Sequence, residues 1–211
     1  MPFRSRELWV GSWRSALALV LVVGVGTAAC SGGAKPAKEP AAGASARATQ
    51  VLGEQEVREV LPGPSVVPEG WRPRRDPEVL GRGEGGRVGF ARRGYRAPDL
   101  DGVVGFGLRS FSSAKASRVE FAGMRKRSEG SLVKSVRFYG VDEVFTAKYC
   151  LGPGCFTSVH FRRGAVHAWV NLNFYEHRPA ADPRVMNSLV RTLVERVRQA
   201  QRGEAPTAKA R

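Results

Sequence analysis

Histidine and cysteine are scarce in this chain, with three of each in 211 residues. Acids are few as well: 19 against 34 basic residues, which leaves a formal net charge of +15. Lysine is the rarer base, since only 7 of the 34 are Lys and 27 are Arg. The thin supply of ligands argues against a metal centre. Cys150 and Cys155 make a C-x4-C pair with no second pair and no nearby H-x3-H, so no metal is expected. No G-x-S-x-G or H-E-x-x-H occurs, and the nucleophile and base candidates are few and dispersed. The chain therefore reads as not an enzyme, with no catalytic residue to name. The glycine run Gly81–Gly86 could be mistaken for a phosphate cradle. Such a cradle needs a helix directly behind it, whereas Val88–Phe90 reads as a strand, so a loop is expected and no cofactor. Long apolar runs are also lacking. The one such stretch, Ser15 to Val25, is shorter than the roughly 20 residues a spanning helix needs. No run of five or more basic residues occurs either, which fits arginines scattered over a solvated surface.

What is present begins with an export signal. Arg4, Arg6 and Arg14 lead into the apolar stretch, and Gly26, Thr27, Ala28 and Ala29 precede Cys30. A charged start, a short apolar run and small residues before a cut predict a signal peptide over residues 1–29. The T-A-A-C sequence followed by Ser31-Gly32-Gly33 resembles the lipobox of bacterial lipoproteins, with Thr27 where Leu or Val is usual. That resemblance implies cleavage before Cys30, a diacylglycerol on its sulfur, and anchoring at the outer face of the cell membrane. The preference for Arg over Lys, with many Ala, Gly and Val, looks like a GC-rich genome, and with the lipobox it is similar to actinobacterial lipoproteins.

Residues 30–50 are Ala, Gly, Pro, Lys and Ser with almost nothing to bury, so a disordered, lipidated tether is expected. A single domain should fill 51–203, with a disordered tail at 204–211. Export places Cys150 and Cys155 in an oxidising compartment, and the Gly152-Pro153-Gly154 turn sets them opposite each other, so a disulfide is expected.

Within the domain, 51–60 reads as a short helix stopped by Pro62, Pro64 and Pro68. Asp99 to Gly102 reads as a turn, and Val103–Phe111 alternates as a strand whose glycines admit a close approach to one face. Ser112 or Ser113 caps a helix over 114–128 carrying Ser117, Phe121 and Met124 on one side. Strands are expected at 132–139 and 144–150. Pro183 behind the capping Asp182 starts a final helix with a broad stripe, Met186, Leu189, Val190, Leu193, Val194 and Val197.

The hairpin 155–174 carries the most information. An even turn around Arg163-Gly164 pairs Phe161 with Val166 and His160 with His167, and gathers apolar residues on one face. The other face then carries Phe145, Tyr149, Phe156, His160, His167 and Trp169. That aromatic surface needs either a cover, such as the proline-rich segment around Trp71, or a ligand.

These elements predict an α+β fold, an antiparallel sheet with a middle and a C-terminal helix packed on one face. With the G-V-D-E-x-F stretch at Gly140–Phe145, the element order resembles small sensor or ligand-binding domains of the Mog1/PsbP-like type found in actinobacterial lipoproteins and kinase ectodomains. The expected function is a monomeric, membrane-anchored lipoprotein whose domain binds a lipid, a wall-derived ligand or a partner at the cell surface. An adaptor holding anionic wall or lipid polymers through its arginines is an alternative, and a cell-wall hydrolase a third. Outside a cell, nucleic acid is not an expected partner.

Overall fold

The computed structural model describes residues 50–97, 102–151, 154–174 and 183–210. Cys30 and its leader, the tether up to residue 49, the Asp99–Asp101 turn and the Asp182 cap lie outside the described residues. Alternating apolar and polar residues build one antiparallel sheet from β1 (Arg72–Pro73), β2 (Glu78–Leu80), β3 (Arg87–Ala97), β4 (Gly102–Phe111), β5 (Leu132–Val133), β6 (Glu143–Leu151), β7 (Gly154–Arg163) and β8 (Val166–Phe174). Their order is β1-β3-β4-β8-β7-β6-β5, and β2 also pairs with β3. Among the described residues three α-helices accompany the sheet: α1 (Glu54–Val60), α2 (Ala114–Arg127) and α3 (Pro183–Gln201). The α+β class is as expected.

The main core lies between one sheet face and α3. Met186, Leu189, Val190, Leu193 and Val197 bury their stripe in the cluster that holds Val159, Phe161, Ala168, Val170 and Leu172. Each such side chain contributes on the order of 1.5–3 kcal/mol when fully covered. Leu52, Val57, Val60 and Trp71 join this same cluster. Buried Arg196 ties α1 to α3, donating to the carbonyls of Glu59 and Val60 at 2.7 Å each. Those carbonyls end a helix and have no partner inside it, so the guanidinium satisfies them.

Helix α2 departs from the expected arrangement: it lies on the opposite face from α3. Its Phe121 packs with Phe145 and Ala147, which alternate away from Phe161 and Val144 along the strands. A strand with apolar residues on both faces needs a layer on each, and α2 supplies the second.

Three smaller differences have local causes. The β7–β8 turn is Gly164-Ala165, one residue later than expected, so His160 faces Trp169 and Phe161 faces Ala168. Gly164 takes φ 54°, and its N–H is held by Asp142 Oδ2 at 2.8 Å. The pairing slips by two residues, which leaves every side chain on its predicted face. Only Leu132–Val133 of the 132–139 segment pairs as a strand; Phe138 instead turns into the α3 core while Val136 stays exposed. Residues 204–210, expected to be disordered, pack back on the domain. Ala210 N–H donates to Val66 O at 3.0 Å, and Ala208 O accepts from Arg196 at 3.2 Å.

The Cys150–Cys155 disulfide is present, closing the directly paired ends of β6 and β7 with a Cα–Cα distance of 4.2 Å. On β4, the glycines do admit a close approach. A Cβ on Gly107 would overlap Trp169 Cζ2, whereas one on Gly105 would meet Asn171 Cβ and Nδ2 at the ordinary distances of 3.7 and 3.8 Å. Gly107→Ala should therefore lower stability by about 1–3 kcal/mol, because indole or strand must shift. Urea denaturation should show no such loss for Gly105→Ala, and equal losses at both positions would contradict this packing.

Candidate functional site

The strand register sets the second sheet face residue by residue. It carries Phe90, Arg92 and Gly94 on β3, Gly105, Gly107 and Arg109 on β4, and His167, Trp169 and Asn171 on β8. Ser158 and His160 continue it on β7, and Phe145 and Tyr149 on β6. The structure thus brings the six predicted residues onto one face, and α2 divides that face in two.

The half under α2 is sealed. Phe121 meets Phe145 at 5.1 Å and stands edge-on to His167 at 5.3 Å, while Phe145 stacks on His160 at 4.6 Å. Phe145 and both histidines are buried, so the cover comes from α2 and not from the segment around Trp71, which is buried in the α3 core. Tyr149 and Phe156 are half-buried at 5.9 Å from each other, and Tyr149 donates its hydroxyl to Ser128 Oγ at 2.6 Å.

Hydrogen bonds fix the histidine tautomers. Ser158 gives its one hydroxyl proton to Asn171 Oδ1 at 2.7 Å, so its oxygen accepts from His160 Nε2 at 2.6 Å. His160 Nδ1 is then an acceptor, and His167 Nε2 donates to it at 3.1 Å. The chain ends at His167 Nδ1, buried with no partner, a bare lone pair beneath Phe121. Both rings are neutral in this scheme. Burial, followed by the positive charge of Arg109, brings the His160 pKa down to about 4. Burial, then His160, Arg109 and Arg127, holds His167 well below its ordinary value.

The other half is open. A groove of about 430 Å³ runs across the sheet, with Gly94 and Gly105 on its floor; Phe90, Trp169 and Asn171 line it, and so do Arg74, Arg75 and Arg92 with the carboxylates of Asp76 and Glu78. Arg109 forms the divide. Its guanidinium lies 5.4 Å from the Trp169 ring and 5.9 Å from Phe90, and binds Glu120 of α2 at 2.5 Å. Of the six predicted residues, Trp169 alone lines the groove. Arg74, Arg75, Gly94 and Asn171 were missed as site residues, although the β4 glycines marked this stretch of the face as open.

No protein-family model matches the chain, and no curated protein matches it. Among solved structures it is similar to the extracellular domain of PknH from Mycobacterium tuberculosis, at 9% identity with a TM-score of 0.41, covering 74% of this chain and 100% of that one.

The buried histidines make stability depend on pH. In the unfolded chain both take protons as pH falls through about 6.5, whereas folded His160 resists until about 4. Below about 6.5 the unfolded state binds more protons, so stability is full above that pH and falls towards pH 4. His167→Gln keeps a donor for His160 Nδ1 and cannot titrate. Thermal melts between pH 7 and 4.5 should show a smaller drop in Tm for this variant than for the parent chain. Identical drops would contradict the assignment.

Proposed function

We propose that the chain is exported, held at the outer face of the cell membrane through lipid on Cys30, and binds a ligand there without turning it over. The observation that carries the binding reading is the open groove of about 430 Å³. Its size lies within the range of small-molecule sites, and it combines an aromatic edge with a few converging polar groups. The Cys150–Cys155 disulfide supports an oxidising compartment, and the lipobox-like sequence around Cys30 supports the anchor. The polarity at Ser158 supports a non-catalytic role. A serine nucleophile hands its proton to a histidine, whereas this hydroxyl donates to Asn171 and accepts from His160. Ser158 is also buried, behind the groove wall.

One experiment addresses both parts. Native mass spectrometry of the full chain from the membrane fraction of its host should give a chain beginning at Cys30 and carrying diacylglycerol, with a small non-covalent adduct. Gly105→Leu fills the groove from a half-exposed floor position where a Cβ meets only ordinary contacts. It should keep the lipid and lose the adduct. A mass retaining residues 1–29 would overturn the anchor, and an adduct that survives in Gly105→Leu would overturn the groove as its site.

A further inference from the structure

Beside the exposed carboxylate of Asp76, the groups left free in the groove are donors. Arg92 is paired with Glu78 at 2.5 Å and Arg109 with Glu120 at 2.5 Å. Arg93 is turned to Pro62 O and the Tyr95 hydroxyl at 3.4 and 3.5 Å. Arg74 and Arg75 are different: both are exposed, and neither is held by an acid among the described residues. Arg74 is nonetheless well placed. Its N–H is fixed to Gly94 O at 2.9 Å, and its Cδ lies 3.8 Å from where a Gly94 Cβ would stand. Its stem therefore crosses the glycine floor and carries a free guanidinium to the groove.

Asn171 adds a third donor. Its Oδ1 is committed to Ser158, which turns Nδ2 towards the floor, 3.8 Å from a Cβ position on Gly105. Apolar contact comes from the half-buried Trp169 and Val103 and from the nearly covered Phe90 and Phe106, too little exposed surface to bed a long acyl chain. Two guanidinium forks and a carboxamide N–H complement a group that only accepts hydrogen bonds. Carboxylate and phosphate are the groups a fork matches with two parallel bonds.

We propose, resting on the binding reading above, that the groove takes a small oxyanion-bearing polar molecule of the sugar-acid or sugar-phosphate class. Arg74 and Arg75 hold the oxyanion, while the Asn171 carboxamide and the Trp169 edge hold the body. Exchange of Arg109 between Glu120 and the ligand is not required, so binding leaves α2 seated.

The test is an NMR titration of the full chain with glucuronate, glucose 6-phosphate and glucose, following the Trp169 indole N–H and the Asn171 carboxamide. At least one anion should move both signals and bind about tenfold or more tightly than glucose. A preference for glucuronate assigns a carboxylate; a preference for glucose 6-phosphate assigns a phosphate. The double variant Arg74→Ala/Arg75→Ala should weaken that binding by about tenfold or more with Tm unchanged. Arg72→Ala/Arg96→Ala, which removes the same charge from exposed positions that do not line the groove, should change it less than about twofold. Equal binding of glucose, or equal losses in the two double variants, would overturn the oxyanion assignment. Failure of both anions, with a native adduct still lost in Gly105→Leu, would overturn this assignment alone. Failure of both anions with no such adduct would overturn the binding reading too.

Discussion

The seating of Phe121 against Phe145 and His167 decides what this domain presents to solvent. It is the one large side chain that α2 buries, and it lands where the sheet gathers its aromatic rings. With it in place, two histidines become a dry, neutral pair whose polar atoms can be satisfied only by each other and by Ser158. A bare lone pair at His167 Nδ1 is tolerable under an apolar lid; a proton there is costly. The same helix carries Glu120, which pins Arg109 across the sheet and so limits how far the cover extends. The sealed half and the open groove of that face thus follow from one docking event.

The open half depends on what the strands leave out. Side chains at Gly94 and Gly105 would fill the floor, and one at Gly107 would expel Trp169 from its place against the backbone. The proline-rich stretch after α1, although its Trp71 belongs to the main core, supplies β1 and β2 and with them Arg74 and Arg75 of the groove. A segment that reads as mere connection therefore builds one wall of the site.

Much of the sheet was legible in the sequence because alternation has a fixed period. The shared face of Phe145, Tyr149, Phe156 and His160, the Cys150–Cys155 disulfide, and the face assigned to Trp169 all follow from local pattern. The hairpin turn was displaced by one residue because the hold of Asp142 on Gly164 joins residues far apart in sequence, which local pattern does not show. The side chosen by α2 was not legible for a similar reason. A thin stripe of Ser117 and Phe121 fits either face, and only the position of Phe145 and His167 decides between them. Arg196 shows the limit most plainly: on the helix it reads as an ordinary surface base, yet it is buried and orders both α1 and the C-terminal residues through carbonyls far away in sequence. The groove was half legible, through its glycines and Trp169, while its arginines were hidden in the segment that wraps round to meet them.

The central claim is that α2 divides the aromatic face into a sealed half and an open half. The most direct test is NMR of the full chain with a soluble paramagnetic gadolinium chelate, which broadens signals according to their distance from solvent. The account predicts strong broadening of the Trp169 indole and the Asn171 carboxamide, with the ring protons of His160, His167 and Phe145 left sharp. Histidine rings broadened as strongly as Trp169 would mean that α2 does not seal them, and the division of the face would fall.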